Sequence, residues 1–260
     1  MKLALVGAGK MGGAVLTGAL EAGVLQAAEV GIYHPDEGRR TALAERYGVA
    51  PLSDDDIHRA ERILVAVKPQ SFAEVAPLIA RRTAAYISLM AGVSAESIAR
   101  RVGSSRVVRA MPNLGARVGL SATAMAATPQ ATGDDLGIAE QLFAAVGTVY
   151  RVPERLFDAF TGLAGSGPAF AALFAEALAD GCVRAGLGRD VSRDLAKQVL
   201  LATATLLETT PPGSLKDEVA SAGGTAITGV MALERHGLRY ATMRAVEDAS
   251  ERARELSEAG

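Results

Sequence analysis

Short apolar runs alternate with amphipathic segments through residues 1–152 of the chain. The apolar runs have the length and β-branched content of buried strands, and most of the segments between them carry apolar residues at helical spacing. This alternation predicts a parallel sheet with helices on both faces. The predicted strands are Leu3–Val6, Val30–Tyr33, Ile63–Val67, Ala85–Leu89, Val107–Ala110, Ser121–Ala126 and Thr148–Val152. The predicted helices are Met11–Ala22, Glu37–Tyr47, Phe72–Ala80, Ala95–Arg101 and Asp134–Ala145.

The pattern changes after Pro153, where long Ala- and Leu-rich segments replace the β-branched runs. Pro168 suits the first position of a helix and Ser192 suits an N-cap, so both mark predicted helix starts. At 260 residues the chain is long enough for two packed units. We therefore predict an α/β fold with a parallel-sheet domain at residues 1–152 and an all-α domain at residues 153–260. The predicted helices of the second domain are Glu154–Leu163, Pro168–Ala185, Ser192–Thr209, Gly224–Arg235 and Ala241–Leu256.

A glycine-rich motif, Gly7-Ala8-Gly9-Lys10-Met11-Gly12, follows the first predicted strand and opens the first predicted helix. Glycines at this spacing let the backbone approach a pyrophosphate, whose charge is met by amide N–H groups at the helix N-terminus. Alone, G-x-G-x-x-G is a weak signal, but its position in a strand–helix–strand unit makes it specific. All six residues are predicted to bind a dinucleotide, so residues 1–152 are predicted to be a Rossmann-type dinucleotide-binding domain.

The end of the second predicted strand reads Tyr33-His34-Pro35-Asp36. An acidic residue at the strand end would bind the 2′-hydroxyl of the adenosine ribose and repel a 2′-phosphate. Here the acid is displaced to Asp36, with Arg39 and Arg40 nearby, which favours NADPH and places His34 beside the ribose. Both arginines also fit solvated helix positions, so NADH stays open as the cofactor.

Two further loops follow predicted strands and are expected at the same edge of the sheet. Ala66-Val67-Lys68-Pro69 ends one strand, and Leu89-Met90-Ala91-Gly92 ends the next. Ligands of open α/β sheets bind beyond the carboxyl ends of the strands, so both loops are predicted to flank the dinucleotide. Lys68 is either a cation near the cofactor or a surface lysine before a proline turn, and its place in the crevice favours the first reading.

Composition argues against several other classes of function. The 27 Lys and Arg residues against 29 Asp and Glu form no basic stripe, so no nucleic-acid partner is expected. Cys182 is the only cysteine and the three histidines are far apart in sequence, so no intrachain disulfide or metal site is expected. Pro168–Ala179, the richest apolar helix, contains Glu176 and falls short of the roughly 20 residues of a membrane span. We expect a soluble protein of the reducing cytoplasm, with no membrane partner.

A second glycine-rich motif, Ser221-Ala222-Gly223-Gly224-Thr225, precedes another predicted helix. Amides and hydroxyls at the start of a helix form an anion-binding nest. We predict that Ser221, Gly223, Gly224 and Thr225 bind an anionic group of a small-molecule substrate. A helix N-cap without a ligand is the alternative.

Over almost its whole length the chain resembles pyrroline-5-carboxylate reductase. The resemblance rests on an ordered set of segments: the first glycine motif, Ala66–Pro69, Arg109–Asn113, Gly162–Ala169, Glu176–Gly181 and Leu215–Glu234. It implies NAD(P)H-dependent reduction of 1-pyrroline-5-carboxylate to L-proline, in proline biosynthesis, by hydride transfer to the ring imine carbon. It also implies that the all-α domain is a dimerisation domain in which two protomers interlock, often within a larger ring of dimers. The second glycine motif would then hold the substrate carboxylate, facing the cofactor of the other protomer.

The chain departs from the family pattern at one informative position. Where the family usually has Val-Thr-Ser-Pro-Gly-Gly-Thr-Thr, this chain has the segment Val219–Ala226, which loses a Thr, the Pro and the final Thr. The family uses that final Thr, at the position of Ala226, to hydrogen-bond the substrate ring nitrogen. We expect Thr225, as the catalytic-site hydroxyl, or a water molecule to take over. The loss should cost on the order of 1–3 kcal/mol of transition-state binding.

Three other functions remain as alternatives. A 3-hydroxy-acid dehydrogenase needs a lysine on the helix that joins the domains, and Pro168–Ala185 contains none, which argues against that class. A reductase of another cyclic imine is compatible with Ala226. A catalytically weakened paralogue that binds a dinucleotide as a sensor is also compatible, although both glycine motifs are retained.

Overall fold

The computed structural model of the chain describes residues 1–258. Eight strands form one sheet in the order β3-β2-β1-β4-β5-β6-β7-β8. The strands are β1 Leu3–Val6, β2 Val30–Tyr33, β3 Ala50–Pro51, β4 Arg62–Val65, β5 Ala85–Ser88, β6 Val107–Met111, β7 Ser121–Ala127 and β8 Gly147–Arg151. The helices between them are α1 Lys10–Glu21, α2 Glu37–Tyr47, α3 Pro69–Ile79, α4 Ala95–Val102 and α5 Gly133–Ala144.

Both faces of the sheet are buried at β1, β2, β4 and β5, because successive side chains point to opposite faces and every residue of these strands is buried. On one face Val6 and Val65 belong to a core that includes Phe72 of α3. On the other face Leu5 belongs to a core that includes Phe143 of α5. The predicted Rossmann-type sheet with helices on both faces is confirmed.

The order of the strands creates a crevice beside β1. From β1 the sheet extends through β2 and β3 on one side and through β4, β5 and β6 on the other, and these six strands pair in parallel. This is the Rossmann order, in which the carboxyl ends of the two strands at the change of direction border the ligand crevice. The loops after β1 and β4 are therefore neighbours at that edge.

The expectation of an entirely parallel sheet was wrong at β7, which pairs antiparallel to β6. The connection between these strands contains only a 3₁₀ turn, Leu114–Val118. A parallel pair needs a crossover of a dozen or more residues, so this short link forces the chain to turn back. β8 then pairs parallel to β7 after α5.

The rest of the described chain is helical. A 3₁₀ turn at Glu154–Leu156, α6 at Phe157–Phe160, a π-helical turn at Thr161–Gly165 and α7 at Gly167–Arg184 follow one another closely. The remaining helices are α8 Arg189–Leu206, α9 Pro212–Val219, α10 Thr225–Arg235 and α11 Leu238–Glu258. The predicted all-α composition of this part is confirmed.

Two details of the helical part differ from the prediction. Ser192 is not an N-cap: α8 begins three residues earlier after Gly188, and the buried Ser192 hydroxyl donates to the Gly188 carbonyl at 2.9 Å. Pro212 opens α9, a helix that the sequence pattern did not predict. Proline is tolerated there because the first turn of a helix needs no backbone N–H donor.

Contacts divide the chain into two compact units. One comprises Met1–Gly165 together with residues 249–258, and the other comprises Ser166–Asp248. The division by contacts falls after the π-helical turn, and the predicted domain boundary near Pro153 stays a prediction.

The second unit buries few side chains of its own. Within the described helices α7 to α11, only Ala179, Ser192 and Ala196 are buried. Large apolar side chains such as Leu173 and Tyr240 are about two-thirds exposed, at 67% and 68%. Large apolar side chains exposed in this way are typical of a surface that another protein chain covers.

One described segment, Glu154–Arg184, is long and apolar enough to cross a membrane, by length and composition alone. A single segment of this kind is weak evidence for a membrane span, because apolar helices of non-membrane proteins also meet the same criteria.

Candidate functional site

The first glycine motif forms a tight turn between β1 and α1. Gly7 has φ +91°, a conformation that side chains disfavour. A Cβ on Gly7 would lie 2.7 Å from the backbone nitrogen of Val67, and one on Gly12 would lie 2.6 Å from the Gly7 carbonyl oxygen. These two glycines therefore permit close packing of the turn, the helix and the loop after β4.

Gly9 has a different role from its two neighbours in the motif. It is the N-cap of α1 without any side-chain cap, and a Cβ placed on it would meet no atom within 4 Å. The first amides of α1 therefore face open space at the carboxyl edge of the sheet. Unpaired amides at a helix N-terminus attract anions, so the turn fits the pyrophosphate of a dinucleotide.

The loops after β4 and β5 continue the same edge. The Ala66 amide donates to the Val6 carbonyl at 2.7 Å, which fixes the β4 loop against the end of β1. Lys68 is exposed and is the N-cap of α3, whose first residue is Pro69. The Leu89 amide donates to the Val65 carbonyl at 2.9 Å, so the β5 loop is fixed to the end of β4 in the same way.

Met90 in the β5 loop lies in the core. The whole residue is 1% exposed, and its amide donates to the Ser88 hydroxyl at 3.2 Å. Met90 therefore offers almost no surface to a ligand, whereas Ala91 is exposed. Of the residues predicted for this loop, Ala91 has the most accessible position.

His34 and Asp36 form a hydrogen-bonded turn after β2. The Asp36 amide donates to Nδ1 of His34 at 3.0 Å, so the neutral ring carries its proton on Nε2. The Asp36 carboxylate accepts from the Arg39 amide at 2.8 Å and caps α2. The Asp36 carboxylate is thus engaged in capping α2. It does not lie at the strand end, where an acidic residue would accept a hydrogen bond from a ribose hydroxyl.

The two arginines of α2 differ in their partners. Arg40 donates from Nη1 to the Leu52 carbonyl at 2.8 Å, and its guanidinium carbon lies 5.9 Å from the centre of the Tyr33 ring. Burial, together with the hydrogen bond to Asp54, raises the pKa of Tyr33 to about 12, so this ring stays neutral. In the part of the chain that the structure describes, the exposed Arg39 side chain has no partner. Arg39 is therefore the arginine that is free to bind a phosphate.

Asn113, after β6, organises a loop whose contacts the sequence pattern did not reveal. Its Oδ1 accepts from the amides of Gly115 and Ala122 at 3.1 and 3.2 Å. Its Nδ2 donates to the Ala164 carbonyl in the π-helical turn at 2.7 Å. The Gly115 contact is a local cap of the 3₁₀ turn, of the kind asparagine often makes, whereas Ala122 and Ala164 are reached only through the fold. Asn113 thereby fixes the residues that follow Met111.

The second glycine motif forms a β-turn that enters α10. The Gly224 amide donates to the Ser221 carbonyl at 3.0 Å, and Gly223 has φ +67°. Gly224 is the N-cap and no side chain caps α10. The exposed Ser221 and Thr225 hydroxyls lie beside these open amides, which is the arrangement of an anion-binding nest.

Ala226 lies in the first turn of α10 with its methyl group half-buried. The next hydroxyl along the helix, that of Thr228, donates back to the Gly224 carbonyl at 3.0 Å. Thr228 is therefore occupied, and Thr225 keeps the hydroxyl with no partner within residues 1–258. Across the same residues, no three His, Cys, Asp or Glu side chains are grouped as metal ligands.

Comparison with known families and proteins covers nearly the whole chain. The family described as pyrroline-5-carboxylate reductase dimerisation matches residues 154–256, and the family described as NADP oxidoreductase coenzyme F420-dependent matches residues 2–92. The pyrroline-5-carboxylate reductase of Thermus thermophilus is 50% identical over 259 residues, which are 99% of each chain. That of Pisum sativum is 41% identical over 263 residues, covering 98% of this chain and 96% of the relative.

Solved structures give the same result. The pyrroline carboxylate reductase of Plasmodium falciparum with NADP bound superposes with a TM-score of 0.85 at 26% identity, covering 99% of this chain and 98% of that one. The pyrroline-5-carboxylate reductase of Coxiella burnetii superposes with a TM-score of 0.88 at 27% identity, covering 98% of both chains.

Proposed function

Because this chain belongs to the pyrroline-5-carboxylate reductase family, we propose that it reduces 1-pyrroline-5-carboxylate to L-proline, with NADPH as the preferred hydride donor. The observation that carries the proposal is similarity over the whole chain to reductases of this name, 50% identical in the Thermus thermophilus protein. Two uncapped helix N-termini, one in each glycine motif, supply the anion sites that the reaction needs.

The proposed dinucleotide site comprises the loops after β1, β2, β4 and β5. The space beside Gly9 and the amides that open α1 fit a pyrophosphate. Its residues are Gly7, Ala8, Gly9, Lys10, Met11, Gly12, His34, Ala66, Val67, Lys68, Pro69, Leu89, Met90 and Ala91. When bound, the dinucleotide supplies a hydride to the ring imine carbon of the substrate.

The proposed substrate residues are Ser221, Gly223, Gly224 and Thr225. The amides at the start of α10 and the two hydroxyls are suited to holding the substrate carboxylate. A protonated cyclic imine is already electrophilic, so the protein's main task is to orient the ring. As hydride adds to the carbon of the protonated imine, the C=N π bond breaks and its electron pair moves to nitrogen, where it becomes the lone pair of the neutral amine. The Thr225 hydroxyl is proposed to hydrogen-bond that nitrogen in place of the hydroxyl missing at Ala226.

The side chains after β2 support NADPH. The Arg39 guanidinium is unpaired, the Nε2–H of His34 is a free donor, and the carboxylate of Asp36 is engaged by the amide of Arg39. A 2′-phosphate would gain two donors at this position and meet no free acid.

Self-association is supported by the match to a dimerisation family at residues 154–256 and by the exposed apolar side chains of the second unit. We propose a dimer, or a ring of dimers, that acts in proline biosynthesis in the cytoplasm. Interlocked helices would cover side chains such as Leu173 and Tyr240.

The test is oxidation of NADPH and of NADH by the purified protein with 1-pyrroline-5-carboxylate, with proline quantified as the product. We expect one proline per cofactor oxidised and a higher kcat/KM with NADPH. If both cofactors bind and neither is oxidised, the proposal fails, and reductases of other cyclic imines become the next hypothesis, ahead of a sensor.

A further inference from the structure

Arg109 of β6 is a buried cation with incomplete hydrogen bonding. Its side chain is 8% exposed, and Nη1 donates to Oε1 of Glu154 at 2.9 Å. The guanidinium carbon lies 4.7 Å from the centre of the Phe157 ring. Nε is buried without an acceptor. Nη2 also makes no hydrogen bond within residues 1–258 and, unlike Nε, is not fully buried. A charged donor without a partner in the interior is costly, so an acceptor in contact with Nη2 would be stabilising here.

Arg62 provides an internal comparison, because it is the other described arginine whose buried Nε lacks a hydrogen bond. Three carboxylates lie within ion-pair distance of Arg62, those of Glu61, Asp134 and Asp135. Within residues 1–258, Glu154 is the only carboxylate at that distance from Arg109. One oxygen of Glu154 also accepts from the Ala95 amide at 2.8 Å, so it is shared. Arg109 is thus the cation with room for a second anionic partner.

Arg109 lines a cleft of about 390 Å³. Two guanidinium groups, Arg109 and Arg155, and two carboxylates, Glu154 and Asp158, border the cleft together with the Ser257 hydroxyl. Asp158 accepts from Ser257 at 3.0 Å and has no ion-pair partner in the described part of the chain. The cleft therefore offers an unsatisfied cation on one wall and an unpaired anion on another.

We propose that this cleft binds a small free α-amino acid, with its carboxylate on Arg109 and its ammonium group on Asp158. The lining has two positive and two negative groups, which suits a zwitterion. Inorganic phosphate would be repelled by Glu154 and Asp158. The volume is in the range of small-molecule sites and is large for a single water molecule.

The cleft adjoins the proposed dinucleotide site. Gly92, Arg109 and Asp158 also line a neighbouring cavity of about 660 Å³ that Pro69 and Ala91 border. An amino acid bound here would restrain the loop after β5. The inference does not depend on the proposed reductase activity, and it is tested by binding alone.

The experiment is isothermal titration calorimetry on the full-length protein, without dinucleotide or pyrroline carboxylate. Glycine, L-alanine and L-serine are the probes, with acetate, methylammonium and inorganic phosphate as partial ligands. We expect at least one amino acid to bind with a Kd on the order of 1 mM or below, and each partial ligand to bind at least about tenfold more weakly.

Variants locate the site. Asp158→Asn and Arg109→Lys should each weaken amino-acid binding at least about tenfold, which corresponds to 1.4 kcal/mol. Asp55→Asn and Arg82→Gln change exposed residues outside the cleft and should leave the Kd unchanged. Because Asp158 is only half-buried, its variant tests the proposal even if Arg109→Lys fails to fold.

Three results would overturn the proposal. The first is that no probe amino acid binds. The second is that phosphate binds as tightly as the amino acids. The third is that binding survives Asp158→Asn but is lost in Ser221→Ala, which would place the amino acid at the second glycine motif.

Discussion

Arg106 and Asp135 form a two-point ion pair, with Nη2 2.7 Å from Oδ1 and Nε 2.9 Å from Oδ2. The Asp135 side chain is 1% exposed, and its carboxylate also accepts from the Thr132 amide at 3.0 Å at the start of α5. Burial works to raise the pKa of this carboxyl, but the hydrogen bonds from Arg106 and Thr132 outweigh it. The pKa of Asp135 therefore lies below its ordinary value of 3.8.

We predict that Asp135→Asn lowers the free energy of unfolding by about 3 kcal/mol at pH 7, because it breaks a buried ion pair. A lowered folded-state pKa stabilises the protein above the ordinary pKa of 3.8, and this contribution is lost as the pH falls through the folded-state value. The difference in the free energy of unfolding between the wild type and Asp135→Asn should thus become smaller below pH 4. Chemical unfolding at fixed protein concentration across pH 2.5–7 measures it. Asp55→Asn, at an exposed carboxylate, is the control.

Gly7 and Gly9 should respond differently to alanine. Gly7→Ala places a methyl group against the Val67 nitrogen at a positive φ and should cost about 2 kcal/mol of stability. At Gly9 φ is −72° and the added methyl group meets no atom within 4 Å, so stability should change by less than about 1 kcal/mol. Because the methyl group would fill the proposed pyrophosphate site, NADPH affinity should fall about tenfold or more. If a folded Gly9→Ala protein binds NADPH with unchanged affinity, the pyrophosphate does not lie beside Gly9.

Ala226→Thr should restore a hydroxyl in the first turn of α10. If this hydroxyl bonds the ring nitrogen, kcat/KM for 1-pyrroline-5-carboxylate should rise up to about tenfold, or 1.4 kcal/mol of transition-state binding. Ala232→Thr makes the same substitution further along α10 and should leave kcat/KM unchanged. Steady-state kinetics with saturating NADPH measure both. Unchanged or lower activity in Ala226→Thr would show that no donor is missing.

Arg39→Gln should reduce the preference for NADPH. Its guanidinium is exposed and has no partner in the described residues, so removing it should raise the KM for NADPH about tenfold and leave that for NADH unchanged. Arg40→Gln is the matched control, because Arg40 bonds the Leu52 carbonyl. That variant should lose stability and keep its cofactor preference. Equal effects of Arg39→Gln on both cofactors would argue against a 2′-phosphate contact.

Val199→Asp should weaken self-association. Val191, Leu195, Val199 and Leu206 share one face of α8 and are 45–59% exposed. A charge buried at an interface formed by this face would be unpaired, so the oligomer should dissociate at micromolar concentrations. Light scattering after size-exclusion chromatography measures the mass. Arg193→Asp, on the opposite side of α8, is the control and should leave the mass unchanged. If Val199→Asp also leaves the mass unchanged, this face of α8 is not part of the self-association interface.

Elements that depend on local pattern could be predicted from the sequence. β1, β2 and α2 have the bounds that were predicted, because apolar runs, glycine turns and the Asp36 cap act within a few residues. The first glycine motif was recognisable because its function needs small residues at fixed spacing after a strand. Ala226 was likewise recognised as a departure from the family by its position in an aligned motif.

Elements that depend on distant partners could not be predicted. The sequence pattern gave no sign that β7 runs antiparallel to β6 or that Met90 is buried. The sequence also did not distinguish Arg39 from Arg40 as a phosphate ligand. In the fold, only Arg40 donates to the Leu52 carbonyl. In each case the outcome depends on which groups meet across the fold.

The sequence by itself thus determined the two-part α/β and all-α organisation, the family and the places of the two glycine turns. Backbone conformation in these elements follows from residue size, capping and apolar periodicity along one stretch of chain. The tertiary structure decided which charges are satisfied, including the paired Arg106, the free Arg39 and the under-bonded Arg109. Those differences arise because desolvation and hydrogen bonding depend on neighbours that the chain brings together only when it folds.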